Sequence, residues 1–222
     1  MSSGRRKQTG RFKGAASLAR KGPFKKGKER ILIVCEGAET EPNYFEALRV
    51  DLGVRSADVR ICGKECGSDP MSVLEYALEL FEEDSTFDNI FCVFDKEGTQ
   101  ERERKYKQAC SIIDEKKINN CKISYIRSVP SFEYWYILHY KYTCAPFVAQ
   151  GKKSCADMVV SALKKEMPKY NKSDKNIFQL LKPRLSTAKA NALKAIAAAT
   201  ANQTDNPLTE AHLLVAALEA LI

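Results

Sequence analysis

The chain has 222 residues, 44% of them hydrophobic and 29% charged, which is enough apolar material for a packed core and suits one domain with an appendage or two small domains. No run approaches the roughly 18–20 apolar residues that cross a bilayer, and the basic start is not followed by the apolar stretch of a secretory signal, so no membrane association is expected. The net charge is +8, yet residues 1–29 hold ten Lys or Arg against one Glu, and the remaining 26 basic and 27 acidic residues leave the rest of the chain at −1.

The excess charge therefore belongs to a Gly/Ser/Lys/Arg-rich arm, residues 1–29, expected to be disordered because it cannot bury enough apolar surface to fold alone. Arg5, Arg6, Lys7, Arg11, Lys13, Lys25 and Lys26 are its candidate contacts to nucleic-acid phosphates; the plainer reading is a solvated tail.

Residues 30–35, Arg-Ile-Leu-Ile-Val-Cys, form a continuous apolar run rich in β-branched side chains, the mark of a strand buried on both faces. Pro42 then opens a helix whose Tyr44, Phe45, Leu48 and Leu52 recur at helical spacing until Gly53. Residues 58–62 make a second strand, and Pro70 opens a second helix with Val73, Leu74, Ala77, Leu78 and Phe81 on its apolar face. Residues 89–94 make a third, wholly apolar strand, a polar helix follows at about 100–117, and residues 122–127 make a fourth strand. Beyond residue 130 the pattern is helical: about 131–141, 153–167, 174–182, an Ala-rich stretch at 185–201 suited to close packing, and a last helix near 208–220. This βαβαβαβ order predicts an α/β domain over 30–130 with a doubly wound, parallel, four-stranded sheet, and a helical C-terminal region over 131–222 packing on it.

The 8 cysteines are scattered, and Cys35 and Cys92 lie inside apolar runs, where a thiol packs as a small hydrophobe. They read as reduced thiols of a cytoplasmic protein. Cys62 and Cys66 have C-x3-C spacing, but no second pair follows at zinc-ligand spacing.

Glu36 directly follows the first strand and precedes Gly37; Asp95 and Glu97 directly follow the third. In a doubly wound sheet those two strands are neighbours at the switch point, where ligands bind outside the strands' carboxyl ends. Three carboxylates converging there repel one another unless a cation intervenes, and such oxygen ligands suit Mg²⁺ or Mn²⁺. The D-x-E spacing sends Asp95 and Glu97 to one side of an extended segment and Lys96 away, or toward a bound phosphate. Glu36 is the candidate general base or acid beside the metal, which would activate a water and polarise a phosphoryl oxygen. The competing reading is ordinary polar strand ends.

A Glu-Gly after the first strand with an acidic pair after a later one resembles the Toprim domain of topoisomerases, primases and several nucleases. The segment Cys35-Glu36-Gly37-Ala38-Glu39-Thr40-Glu41-Pro42-Asn43-Tyr44-Phe45 is similar to the "EG-x-x-TE-x-x-YF" opening of RloB-like proteins. Gly67-x-Asp69-Pro70 fits the turn before their second helix, Ser128-x-Pro130-x-Phe132-Glu133-x-Trp135-x3-His139 resembles their "FE-x-W-x3-H" segment, and Asn206-Pro207-x-Thr209-x2-His212-x-Leu214-Val215 resembles their closing motif. The resemblance covers almost the whole chain. It implies a Toprim-like fold and a metal-dependent endonuclease of prokaryotic defence against phage or foreign elements, acting on DNA or RNA, tRNA included. It also implies an ATPase partner subunit; a homodimer is a separate expectation for the assembly. Where the family usually has D-x-D, this chain has Asp95-Lys96-Glu97, and Glu reaches one methylene farther. The alternative function is a non-catalytic subunit that binds nucleic acid or a nucleotide signal for an ATPase-containing complex.

Glu133, at the first turn of the helix after the fourth strand, either completes the acidic site or complements the helix dipole. Backbone amides after the Glu-Gly turn can hold phosphate, which makes Gly37 and Thr40 substrate-binding candidates, with Lys96 and His139; Glu39 and Glu41 read as complements to the helix dipole. His139 lies four residues after Trp135 on one helix face, where packing is the competing role. His212, with Asn206 and Thr209, reads as pinning the last helix. Lys152, Lys153, Lys182 and Arg184 read as a solvated face, with the lining of a substrate groove as the alternative.

Overall fold

The computed structural model describes residues 29–222 except Glu97 and Asn119. The expectations for the arm and for Glu97 as a ligand lie outside the described residues.

Strand β1 (Ile31–Cys35) is buried along its whole length, as its unbroken apolar run requires. It pairs in parallel with β2 (Val59–Cys62) on one side and β3 (Asn89–Asp95) on the other. β4 (Lys122–Val129) pairs in parallel with β3. A fifth strand corrects the expected four: β5 (Leu208–Thr209) lies antiparallel on β4, for an order β2-β1-β3-β4-β5. Two residues are too few for a periodic signal, and Leu208 and Thr209 pair with Val129 and Ser128, about 80 positions earlier, so no local pattern marks them.

The helices are α1 (Thr40–Asp51), α2 (Pro70–Glu83), α3 (Gln100–Glu115), α4 (Glu133–Tyr140), α5 (Cys155–Glu166), α6 (Ile177–Leu181), α7 (Leu185–Ala201) and α8 (Ala211–Glu219), with a 3₁₀ turn at Lys182–Arg184. Local chemistry sets their starts. Asp69 caps α2 by accepting from the N–H groups of Met71 and Ser72 at 3.1 and 3.3 Å, with Pro70 in the first turn. Ser154 and Asp157 form a reciprocal capping box on α5. The last helix begins at Ala211, not near 208, because the preceding residues pair with the sheet.

Alternation along β1 divides the core. Ile31, Ile33 and Cys35 face α1 and the C-terminal helices; Leu32 and Val34 face α2 and α3. Both faces of the sheet are thus covered, the condition under which continuous apolar strands are stable. Helix α4 is buried on all sides from Glu133 to His139, with Trp135 at 0% exposure. It packs on α7, where Ala188, Ala192 and Ala195 let the two backbones approach, and Asn191 Nδ2 donates to the Leu138 carbonyl at 2.8 Å. The C-terminal helices therefore share one apolar cluster with the sheet. Among the described residues no helix is long and apolar enough to cross a membrane.

Candidate functional site

The carboxyl edge of β1 and β3 opens into a pocket of about 420 Å³ lined by Glu36, Gly37, Thr40, Glu41, Asp95, Arg102, Phe132, Glu133 and Lys172, among others. β1 delivers Glu36, β3 ends on Asp95, the first turn of α1 supplies Thr40 and Glu41, and the first turn of α4 supplies Glu133.

Each acid has a different environment. Glu36 accepts from the Asp95 N–H at 3.2 Å through Oε2 and forms an ion pair with Arg102 through Oε1. Burial pushes its carboxyl up and Arg102 opposes that. Arg102 is braced from behind, since its Nη1 donates to the Ser68 carbonyl at 2.7 Å. Its stem runs past Gly98, whose φ is +103° and where a Cβ would stand 2.8 Å from Arg102 Cδ. Asp95 accepts from the Phe132 N–H at 3.2 Å. Burial pushes the Asp95 carboxyl well above its ordinary value, and the neighbouring Glu41, Glu133 and Glu36 push the same way. Glu41 is raised to about 7, again by burial first, with Glu133 and Glu36 adding to it. Gly37 makes room for it: a Cβ there would fall on the Glu41 carboxylate. Glu133 is 2% exposed and accepts from Ser131 Oγ at 2.6 Å and from the Tyr170 hydroxyl at 3.0 Å. Lys172 reaches it at 3.2 Å. Burial alone would lower the Lys172 ammonium, but Glu133 outweighs it and the net shift is upward.

The pocket thus holds two ion pairs, Glu36–Arg102 and Glu133–Lys172, together with Asp95 and Glu41, whose charges Lys172 also feels. Among the described residues no ion pair to Asp95 or Glu41 forms, and no three His, Cys, Asp or Glu side chains form a ready metal cage.

Of the residues expected from sequence, Glu36, Asp95, Glu133, Gly37 and Thr40 come together at this pocket. Two substrate-binding expectations are corrected. Lys96 pairs with Asp205 and lies 5.7 Å from the Tyr106 ring centroid, because alternation in the extended backbone carries it away from Asp95. His139 is 1% exposed, its Nδ1 2.9 Å from the Trp135 carbonyl oxygen and its ring against Trp135 and Tyr44; packing has taken it out of reach of any substrate. Sequence reasoning passed over Glu41, Arg102, Lys172 and Tyr170 as site residues. Only Glu41 carried a local hint, its place on the turn after Glu36-Gly37; the others arrive from distant parts of the chain.

The chain is an α/β protein with a mostly parallel sheet, and its acidic pocket lies at the switch between β1 and β3, the place where open α/β sheets generally bind ligands. A search of curated proteins and one of solved structures each find no match. The family model described as RloB-like protein matches residues 31–218, and the chain belongs to that family.

Proposed function

We propose that this chain is a metal-dependent endonuclease of Toprim type, cleaving phosphodiester bonds of DNA or RNA, tRNA included, in prokaryotic defence against phage or foreign elements. The observation that carries the reading is the pair of buried carboxylates, Asp95 and Glu41, each raised by burial and by the neighbouring acids Glu36 and Glu133, with no direct ion pair to either among the described residues. An all-oxygen donor set of this kind fits a hard divalent ion, Mg²⁺ or Mn²⁺. Asp95 and Glu41 would hold it, joined by Glu97 on the D-x-E spacing, with Glu36 and Glu133 at its margins. Such an ion, when bound, acidifies a water and polarises a phosphoryl oxygen.

The protein's own groups do the rest. Glu36, fixed by Arg102 and the Asp95 N–H, is positioned to take a proton from an attacking water. Arg102 and Lys172 both line the pocket and can exchange their carboxylate partners for phosphate oxygens. Thr40 and Gly37 line the turn over which a strand would pass. The defence role and an ATPase partner follow from the family resemblance.

Incubation of the protein with DNA and with RNA, with and without Mg²⁺ or Mn²⁺, tests this. Metal-dependent cleavage abolished by Glu36→Gln and by Asp95→Asn supports it. A second reading, a non-catalytic subunit that binds nucleic acid or a nucleotide signal, is favoured by the engagement of Glu36 with Arg102 and by the lack of a preformed three-ligand cage among the described residues. Binding that survives both substitutions, with no cleavage under either metal, selects that reading.

A further inference from the structure

Some surface cations in this protein sit beside acids, as Arg104 does with Glu101, Lys107 with Glu103, Lys182 with Asp51 and Lys189 with Glu219, and others, Lys116 and Lys117 among them, form no ion pair among the described residues. Segment 164–175 concentrates the second kind, with five lysines against two acids, Glu166 and Asp174. Glu166 is taken by Lys141 at 2.7 Å, and Asp174 accepts from the Asn176 N–H at 2.9 Å. Lys164 and Lys165 lie in the last turn of α5, where the helix dipole accounts for them. Lys169 and Lys175 have no carboxylate partner among the described residues and are exposed; Lys172 lies midway between them.

The segment is also fastened to the acidic pocket. Tyr170 is buried and donates to Glu133, Lys172 reaches the same carboxylate, and Ile177 and Phe178 anchor the far end in the core. Lys169, Lys172 and Lys175 are therefore carried at intervals of three residues along a tethered loop, each at most about 10 Å of chain from the next. Unpaired cations held on ordered backbone beside a site confer more than solubility: they present a row of donors to a polyanion at little entropic cost.

We propose that the loop between α5 and α6 is a nucleic-acid track, with Lys169 and Lys175 contacting backbone phosphates on either side of the nucleotide that Lys172 directs into the acidic pocket. This rests on the proposed function only for the identity of the strand as substrate.

The test is fluorescence anisotropy with the full chain in EDTA, titrating labelled duplex DNA and labelled single-stranded RNA over a range of NaCl concentrations. The Lys169→Ala/Lys175→Ala chain should bind at least about tenfold more weakly at low salt, losing up to about 1.8 from the log–log salt slope on the duplex or about 1.4 on RNA, as two lost phosphate contacts require. The control is Lys116→Ala/Lys117→Ala, two exposed lysines just before β4, at the opposite edge of the sheet from the pocket; it should leave the slope unchanged. Equal slopes for wild type and the Lys169/Lys175 variant, an equal drop in the control, or no binding of either oligonucleotide overturns the proposal. A chain that binds through these lysines yet never cleaves refutes the nuclease reading and leaves the track standing. A chain that cleaves with lysine-independent binding refutes the track alone.

Discussion

His139 offers a quantitative separation of packing from substrate contact. It is 1% exposed, lies between Trp135 and Tyr44, and burial lowers its pKa from 6.5 to about 4. The unfolded chain takes up this proton near pH 6.5 and the folded one only near pH 4, so between those values the unfolded state binds more protons. The stability tied to the neutral ring is therefore full above pH 6.5 and is lost as pH falls through 4. The gap between 6.5 and about 4 corresponds to about 3 kcal/mol. His139→Phe keeps a ring of similar size and cannot be protonated. It forfeits the contact to the Trp135 carbonyl, a cost of about 1 kcal/mol at every pH. Urea unfolding of both chains from pH 7.5 to 4 checks this, because the other titrating groups, Asp95, Glu41 and His212 included, are present in both and cancel in the difference. The variant should start slightly less stable and lose about 3 kcal/mol less on acidification. Parallel curves would refute the buried neutral ring. Loss of nucleic-acid cleavage in a His139→Phe chain that remains folded would refute its exclusion from the site.

Three further outcomes are expected. Gly37→Ala places a methyl on the Glu41 carboxylate; the fold should survive while Mn²⁺ affinity, read by titration calorimetry, falls about 10–100-fold, and unchanged affinity would remove Glu41 from the metal-binding set. Trp135→Ala empties a fully buried indole volume beside Tyr44 and His139 and should cost about 3–5 kcal/mol in chemical unfolding; a loss below about 1 kcal/mol would mean that α4 is not a core helix. Deleting residues 1–28, which carry ten basic residues, should weaken nucleic-acid binding and flatten its salt dependence, and an unaltered salt slope would exclude the arm as a phosphate contact.

Much of the fold was legible locally. The runs Ile31–Cys35 and Asn89–Asp95 are apolar on both faces, and only a sheet covered on both sides buries such a strand, so parallel topology followed from composition. Pro70 after Asp69 marked the start of α2 because the cap chemistry lies within four residues. For the same reason Glu36 and Asp95 were legible as neighbours, since each ends a strand whose place in the sheet the topology dictates.

What tertiary structure decided was direction and partnership. Nothing local told Lys96 to meet Asp205 or His139 to meet Tyr44, because each partner belongs to an element remote in sequence. β5 exists only where β4 offers an edge to it. Glu41 read as a helix-dipole residue, and it is a pocket residue because Gly37 leaves the space its carboxylate occupies. The two cations that line the pocket come from α3 and from the loop before α6, brought in by packing across the sheet. The sequence by itself determined which acids stand at the strand ends, because strand burial is a local property. Which charges answer them is a property of the assembled core, where side chains remote in sequence share one low-dielectric space.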